Sequence, residues 1–163
     1  MSQEKTNEKI EDKIVKTIEL KAPVARVWRA LTDWREFGAW FHVKLEGPFA
    51  VGQVSRGQIT HPGFEHINWE AHVVRMEPER VFAYRWGQPK SHDKEFYPMD
   101  WSKEPTTLVE FHLEPTAAGT RLTVTESGFA AVPEDRRERN FRGNAGGWAQ
   151  QMKNIEGYLA QRP

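Results

Sequence analysis

The sequence predicts an α+β domain in which a curved antiparallel sheet wraps one long carboxy-terminal helix. Three observations carry that class. Phe141, Ala145, Trp148, Met152, Ile155 and Leu159 recur at alternating three- and four-residue spacing, the seam of an amphipathic helix. From about Val43 to Phe129 the pattern is instead that of strands and turns, with Phe82/Tyr84/Trp86, Val109/Phe111/Leu113 and Leu122/Val124 each alternating onto one face. The connections there are short, which requires antiparallel pairing, because a parallel crossover needs about a dozen residues or more.

The elements follow in order. Residues 1–12 (MSQEKTNEKIED) carry charges of both signs and little to bury, which predicts a disordered tail ahead of a single domain over 13–163. Lys13 to Leu20 is β-branched and forms the first strand, with Ile14, Ile18 and Leu20 on one face. Ala22-Pro23 opens a helix, since proline at the first helical position costs nothing, and Val24, Val27, Trp28 and Leu31 recur at helical spacing. Asp33 caps a second short helix carrying Phe37, Trp40 and Phe41.

About six more strands come next, punctuated by Gly47-Pro48, Val51-Gly52, His61-Pro62-Gly63, Glu77-Pro78-Glu79 and Ala118-Gly119. The runs between these turns are Gln53–Thr60, Glu65–Met76, Arg80–Trp86, Thr106–Glu114 and Thr120–Glu126. The second of them changes phase: Ile67, Trp69, Ala71 and Val73 share one parity, Val74 and Met76 the other. A bulge near Val73-Val74 repairs it.

One connection is long. Gly87 to Pro105 carries Phe96, Tyr97 and Trp101, and a loop with its own aromatics reads as a lid, expected to face the Trp40-Phe41 helix. Pro133, Glu134 and Asp135 then open the terminal helix, their negative charge suiting its dipole. Gly143, Gly146 and Gly147 lie inside that helix, where each costs about 1 kcal/mol relative to Ala. Close approach of backbone to sheet, or a soft segment, would explain them.

Composition removes several function classes. Among 163 residues, 23 Lys+Arg balance 23 Asp+Glu, so no net field attracts nucleic acid or an anionic membrane. The absence of cysteine excludes disulfides, thiolate nucleophiles, zinc–thiolate sites and iron–sulfur clusters. Met1 to Lys13 has no apolar core of signal-peptide length, and no apolar run approaches the roughly eighteen residues of a membrane span. The expectation is a cytoplasmic globular domain. Its unusual feature is aromatic content: seven Trp, nine Phe and three Tyr, more than a small core needs.

His61, His66 and His72, with Glu65 or Glu70, offer metal-ligand chemistry. Their spacing matches no ligand motif, and His66 and His72 on one strand stand about 20 Å apart, so solvent-facing histidines are expected and no metal or cofactor. No Gly-rich phosphate loop, GxSxG elbow or spaced carboxylate pair occurs.

Glu126 stands out. It shares parity with Leu122 and Val124, which points it at the helix side near its strand end. Two readings are open: a buried acid, base or hydrogen-bond acceptor, or a rim carboxylate meeting water, Arg137 or Arg142. It is the main candidate for catalysis. Trp69, Tyr84, Trp86 and Trp148 fall on inward parity, either as an aromatic core or, because each brings a polar atom needing a partner, as the wall of a cavity. The ligand-contact set drawn from these patterns is Trp40, Trp69, Tyr84, Trp86, Trp101, Glu126, Phe141, Trp148 and Met152.

Three segments carry a family resemblance. TIELKAPVARVWRALTDWREFGAWF (17–41) resembles the opening of the activator-of-heat-shock-protein-90-ATPase-like family of the START/birch-pollen-allergen superfamily. PTTLVEFHLEPTAAGTRLTVTESGF (105–129) is similar to its last hairpin and the Gly-Phe that follows, and NAGGWAQQMKNIEGYLA (144–160) to its closing Gly-Trp helix. The resemblance implies a helix-grip fold: a seven-stranded antiparallel sheet around the terminal helix, two short helices closing one end, and a cavity between.

Members of that superfamily include lipid and hormone carriers, aromatic polyketide cyclases, toxin-sequestering proteins and a eukaryotic co-chaperone domain. Carriers and cyclases put different residues into the same cavity, so the resemblance implies no catalytic set. The co-chaperone domain is the second half of a two-domain protein, and this chain has room for one half. The leading expectation is therefore binding of a small apolar or aromatic molecule. The alternatives are a cyclase- or hydrolase-like enzyme using Glu126 or a histidine as base, and a co-chaperone or stress-response interaction module with a protein partner; whether the chain is a monomer or a homodimer is left open by the sequence.

Overall fold

The computed structural model describes residues 12–163; the tail expected over 1–12 lies outside them except for Asp12. The chain runs β1 (Lys13–Leu20), α1 (Val24–Thr32), α2 (Trp34–Phe41), β2 (Val43–Leu45), β3 (Val54–Ile59), β4 (Asn68–Glu77), β5 (Val81–Gly87), β6 (Thr106–Thr116), β7 (Gly119–Ser127) and α3 (Glu134–Gln161). The strands form one antiparallel seven-stranded sheet in the order β1-β7-β6-β5-β4-β3-β2. The two short helices thus carry the chain from one edge of the sheet to the other. No helix of the described residues is long and apolar enough to cross a membrane.

Local chemistry sets the element ends. Pro23 stands at the cap of α1 rather than inside it, and its carbonyl accepts from Arg26 and Val27. The Asp33 carboxylate caps α2, accepting from the Arg35 and Glu36 amides at 3.0 and 3.2 Å. In β4 the pairing with β5 steps from Val73↔Tyr84 to Arg75↔Ala83, leaving Val74 as the extra residue of a bulge that turns its side chain outward. Asp12 is tied down: its carboxylate accepts from the Gly128 and Ala130 amides at 3.1 and 2.7 Å, fixing the start of β1 to the turn after β7.

α3 lays its seam on the inner face of the sheet. Trp148, Met152, Ile155 and Leu159 are buried there, and Phe141 and Ala145 pack against the same core from half-buried positions. The Trp148 ring meets Phe111 and Trp86, each at 5.6 Å between centroids, and Phe41 at 6.1 Å. The helix glycines are not explained by close approach: a β-carbon added at Gly143, Gly146 or Gly147 would meet nothing within 4 Å.

Candidate functional site

β7 points Leu122, Val124 and Glu126 at the helix, and Glu126 is wholly buried, at 0% exposure. Of its two sequence readings the buried acceptor is the one observed, whereas Arg137 and Arg142 bond elsewhere, to backbone carbonyls and to Glu138. Five side chains donate to its carboxylate. Oε2 accepts from Trp86 Nε1 at 2.8 Å, Thr107 Oγ1 at 2.6 Å, Gln88 Nε2 at 3.2 Å and Asn144 Nδ2 at 3.1 Å. Oε1 accepts from Trp148 Nε1 at 2.8 Å and from Asn144 at 3.2 Å.

Every donor is neutral. The Thr107 hydroxyl itself accepts from Gln88, which leaves its proton for Glu126. A carboxylate buried this deeply is tolerable only because both oxygens are filled. The tie joins four elements: β5 and the residue after it, β6, β7 and α3. Burial, with the Glu126 charge adding to it, holds the neighbouring Tyr84 phenol far above its ordinary pKa. The Tyr84 hydroxyl and the Trp69 indole N–H are buried without a hydrogen-bond partner among the described residues.

Beside this network lies an open cavity of about 700 Å³. Its floor is Trp86, Gln88 and Asn144, three of the five donors to Glu126. Its walls are Phe41, Trp69, Tyr97 and Trp101, and α3 contributes Gly147, whose missing side chain leaves space. Around the mouth stand His42, His61, Phe64 and His92.

The 88–105 loop forms one wall and is stapled at several points. Trp101 packs directly over Gly87, where a β-carbon would collide with the ring, and its N–H donates to the Asn68 carbonyl at 2.9 Å. The Asn68 side chain clamps the Met99 backbone through both its oxygen and its nitrogen, at 2.8 and 2.9 Å. From α3, Arg136 reaches the Gln88 carbonyl at 2.8 Å and Glu104 at 2.7 Å, and Asn140 reaches the Pro89 carbonyl at 3.0 Å. His66 donates from Nε2 to the His92 carbonyl. The loop thus shares the cavity with Phe41 while its hydrogen bonds run to β4, to the turn before it and to α3. Burial lifts the Tyr97 phenol to about 12, with Glu104 adding to the effect, so it stays a neutral donor to the Ser91 carbonyl.

The sequence-derived set divides. Trp69, Trp86 and Trp101 line the cavity. Trp148 and Glu126 lie immediately behind its floor. Trp40 is in the core, its N–H donating to the Ala30 carbonyl at 2.8 Å, and Tyr84 and Met152 are core residues as well. Phe141 packs edge-on against Phe129 at 5.0 Å, away from the cavity.

Sequence reasoning missed Asn68, Gln88 and Asn144; it places Phe41 and Tyr97 at the lid but not in the contact set. Two had a signal: Gln88 continues the inward parity of Tyr84 and Trp86, and Asn144 stands one helical turn before Trp148. His61 stands at the cavity mouth and His66 bonds to the loop, while His72 is exposed on β4. No group of three or more His, Asp or Glu able to hold a metal ion occurs among the described residues.

Solved structures repeat this architecture. Protein MLL2253 from Mesorhizobium loti is 24% identical with a TM-score of 0.71, over 93% of this chain and 98% of its own. DynU16, a protein in the dynemicin biosynthetic locus, is 24% identical with a TM-score of 0.70; 93% of this chain is covered but only 48% of DynU16, so this chain spans about half of that protein. CalU16 from Micromonospora echinospora is 20% identical with a TM-score of 0.63, over 93% and 76% of the two chains. At these identities the likeness is one of fold. No curated protein matches the sequence. The family model described as activator of Hsp90 ATPase homolog 1-like protein matches residues 21–160, and the chain belongs to that family.

Proposed function

We propose that this chain is a binding protein that takes a small apolar or aromatic molecule into the cavity between the sheet, the 88–105 loop and α3. The observation that supports this reading is the open cavity itself. Its volume of about 700 Å³ falls within the range of ligand sites, roughly 300–1,000 Å³, and aromatic side chains dominate its walls. Gln88 and Asn144 bring a small number of fixed polar groups to the floor. Aromatic walls supply affinity, and the polar side chains that α3 adds, Asn144, Gln150, Gln151 and Asn154, supply orientation.

A second reading, cyclase- or hydrolase-like chemistry on the bound molecule, draws on DynU16, whose biosynthetic locus sets this fold beside the making of a small molecule. Glu126 serves that reading poorly as a general base. It does not line the cavity, and both its oxygens already accept from fixed donors.

The test is a screen of small aromatic and apolar compounds read by tryptophan emission and melting temperature, since Trp69, Trp86 and Trp101 border the cavity. A ligand should change the emission and raise the melting temperature. Gly147→Leu, which pushes a side chain into open space from the helix, should abolish binding and leave the fold intact. Binding that survives Gly147→Leu unchanged would put the site elsewhere, and a broad screen without any hit would sink the proposal.

A further inference from the structure

The charge arrangement behind the cavity floor is one-sided, away from the mouth where His42, His61 and His92 stand. No Lys or Arg of the described residues lines it. Of the cations that come near, Arg136 is paired with Glu104 at 2.7 Å and Arg56 with Glu70 at 3.3 Å, while Arg139 sits on the Lys90 carbonyl at the exposed start of α3, where its charge is felt by His92 at the mouth and not at the floor. Glu126 has no such partner. Its carboxylate is surrounded by five neutral donors, and none of the ion pairs among the described residues includes it.

That uncompensated charge lies one side chain behind the cavity floor. Trp86, Gln88 and Asn144 each line the cavity and each donate to Glu126. A negative charge removed from water acts strongly across a few ångström of protein, where the effective dielectric is far below that of water. The walls act in the same direction. Indole and phenyl faces attract cations through their quadrupole, Trp most of all, and this cavity carries Trp69, Trp86 and Trp101. Trp86 is favoured further, because an N–H that donates to an anion pushes electron density back into its ring.

We infer that the cavity selects an organic cation, an amine or quaternary ammonium group on an apolar or aromatic body, over neutral isosteres and over anions. The inference rests on the cavity being a ligand site. The ammonium group would sit among the tryptophans above Trp86 and Asn144, supplying the countercharge that Glu126 lacks. The apolar body would fill the remainder toward Phe41 and Tyr97. Carboxylates, phosphates and sulfonates find no fixed cation to meet them there.

Three matched probes test this by fluorescence and melting shift: benzyltrimethylammonium, its neutral isostere neopentylbenzene, and phenylacetate. The cation should bind about tenfold or more tighter than the isostere, the scale of one unit charge and one cation–π contact in a desolvated site. Phenylacetate should bind weakest. Glu126→Gln, which also disturbs the floor, is read by the ratio of the two affinities: the advantage of the cation over the isostere should shrink. Gln150→Lys, an exposed change at the cavity edge, should shrink the same ratio without touching the buried network, and a ratio unchanged in both variants would overturn the charge selection. An isostere that binds as tightly as the cation, or an anion that binds tightest, would overturn the charge selection and leave the ligand-binding reading standing. If none of the three binds, a hit on a neutral or anionic compound in the broad screen removes the charge inference alone, and a blank screen removes both.

Discussion

Trp148 joins the terminal helix to the sheet by packing and by polarity at once, and two substitutions separate the parts. Its ring is 2% exposed, wedged between Trp86, Phe111 and Phe41, while its N–H donates to Glu126 at 2.8 Å. A buried aromatic removes about 150–250 Å² from water, worth about 4–6 kcal/mol at roughly 25 cal/mol per Å², of which alanine keeps a fraction. Truncation also takes one charged-acceptor hydrogen bond, worth about 1.5–3 kcal/mol; because Asn144 still serves Oε1, the lower end applies. Trp148→Ala is therefore expected to cost about 5 kcal/mol, and at about 2–4 °C per kcal/mol the melting midpoint falls by about 10–20 °C. Trp148→Phe keeps most of the ring and should cost about 1.5–3 kcal/mol. Thermal and urea unfolding followed by far-ultraviolet circular dichroism measures both without relying on the tryptophan removed. A midpoint within a degree or two of wild type for Trp148→Ala would refute the burial, and a Trp148→Phe protein as stable as wild type would show that the bond to Glu126 contributes nothing.

The helix glycines give a prediction of opposite sign. Gly143→Ala and Gly146→Ala add a β-carbon into open space on a helix, and each should stabilise by about 0.5–1 kcal/mol in urea unfolding; a loss would mean that the helix needs its softness there. Gly87→Ala should displace Trp101 from its seat on β5 and loosen the loop beyond it. Hydrogen exchange at Lys90 to Trp101 should then quicken while the sheet amides stay protected, and unchanged exchange would mean that the Trp101 contact does not hold the loop.

The fold was legible because its signals are local and agree with one another. The α3 seam, the Asp33 cap and the parities of β5 to β7 each follow from periodicity, and even the bulge showed as a phase change at Val73-Val74. The candidate site was legible only in part, for a physical reason. Parity says that Trp69, Trp86 and Trp148 face inward, but not that the first two border open space and the third lies behind it. Tyr84 and Met152 have the same inward pattern and end in the filled part of the core. The loop was the least readable stretch. Its position is set by Asn68, Arg136 and Asn140, polar residues on other elements that reach its carbonyls, and no periodicity encodes such contacts.

A chain this rich in aromatic rings has every hydrophobic reason to close its interior, so the open cavity requires an explanation. Most of its indole and phenol walls are tethered by hydrogen bonds. Trp86 is held by Glu126, Trp101 by the Asn68 carbonyl and Tyr97 by the Ser91 carbonyl, and Trp148 braces Trp86 from behind through the same carboxylate. A ring that swung inward to fill the space would abandon its acceptor and leave a polar hydrogen buried without a partner, at a cost of about 1–3 kcal/mol. Displacing Trp86 or Trp148 costs more still, because Glu126 would lose a donor that its buried charge requires. Trp69 is the exception. Its N–H has no partner among the described residues, and its ring is fixed by packing, Phe37, Phe41, Tyr84 and Trp86 among its neighbours. Of the tryptophans that line the cavity, it is the one that can shift on ligand entry without breaking a side-chain hydrogen bond.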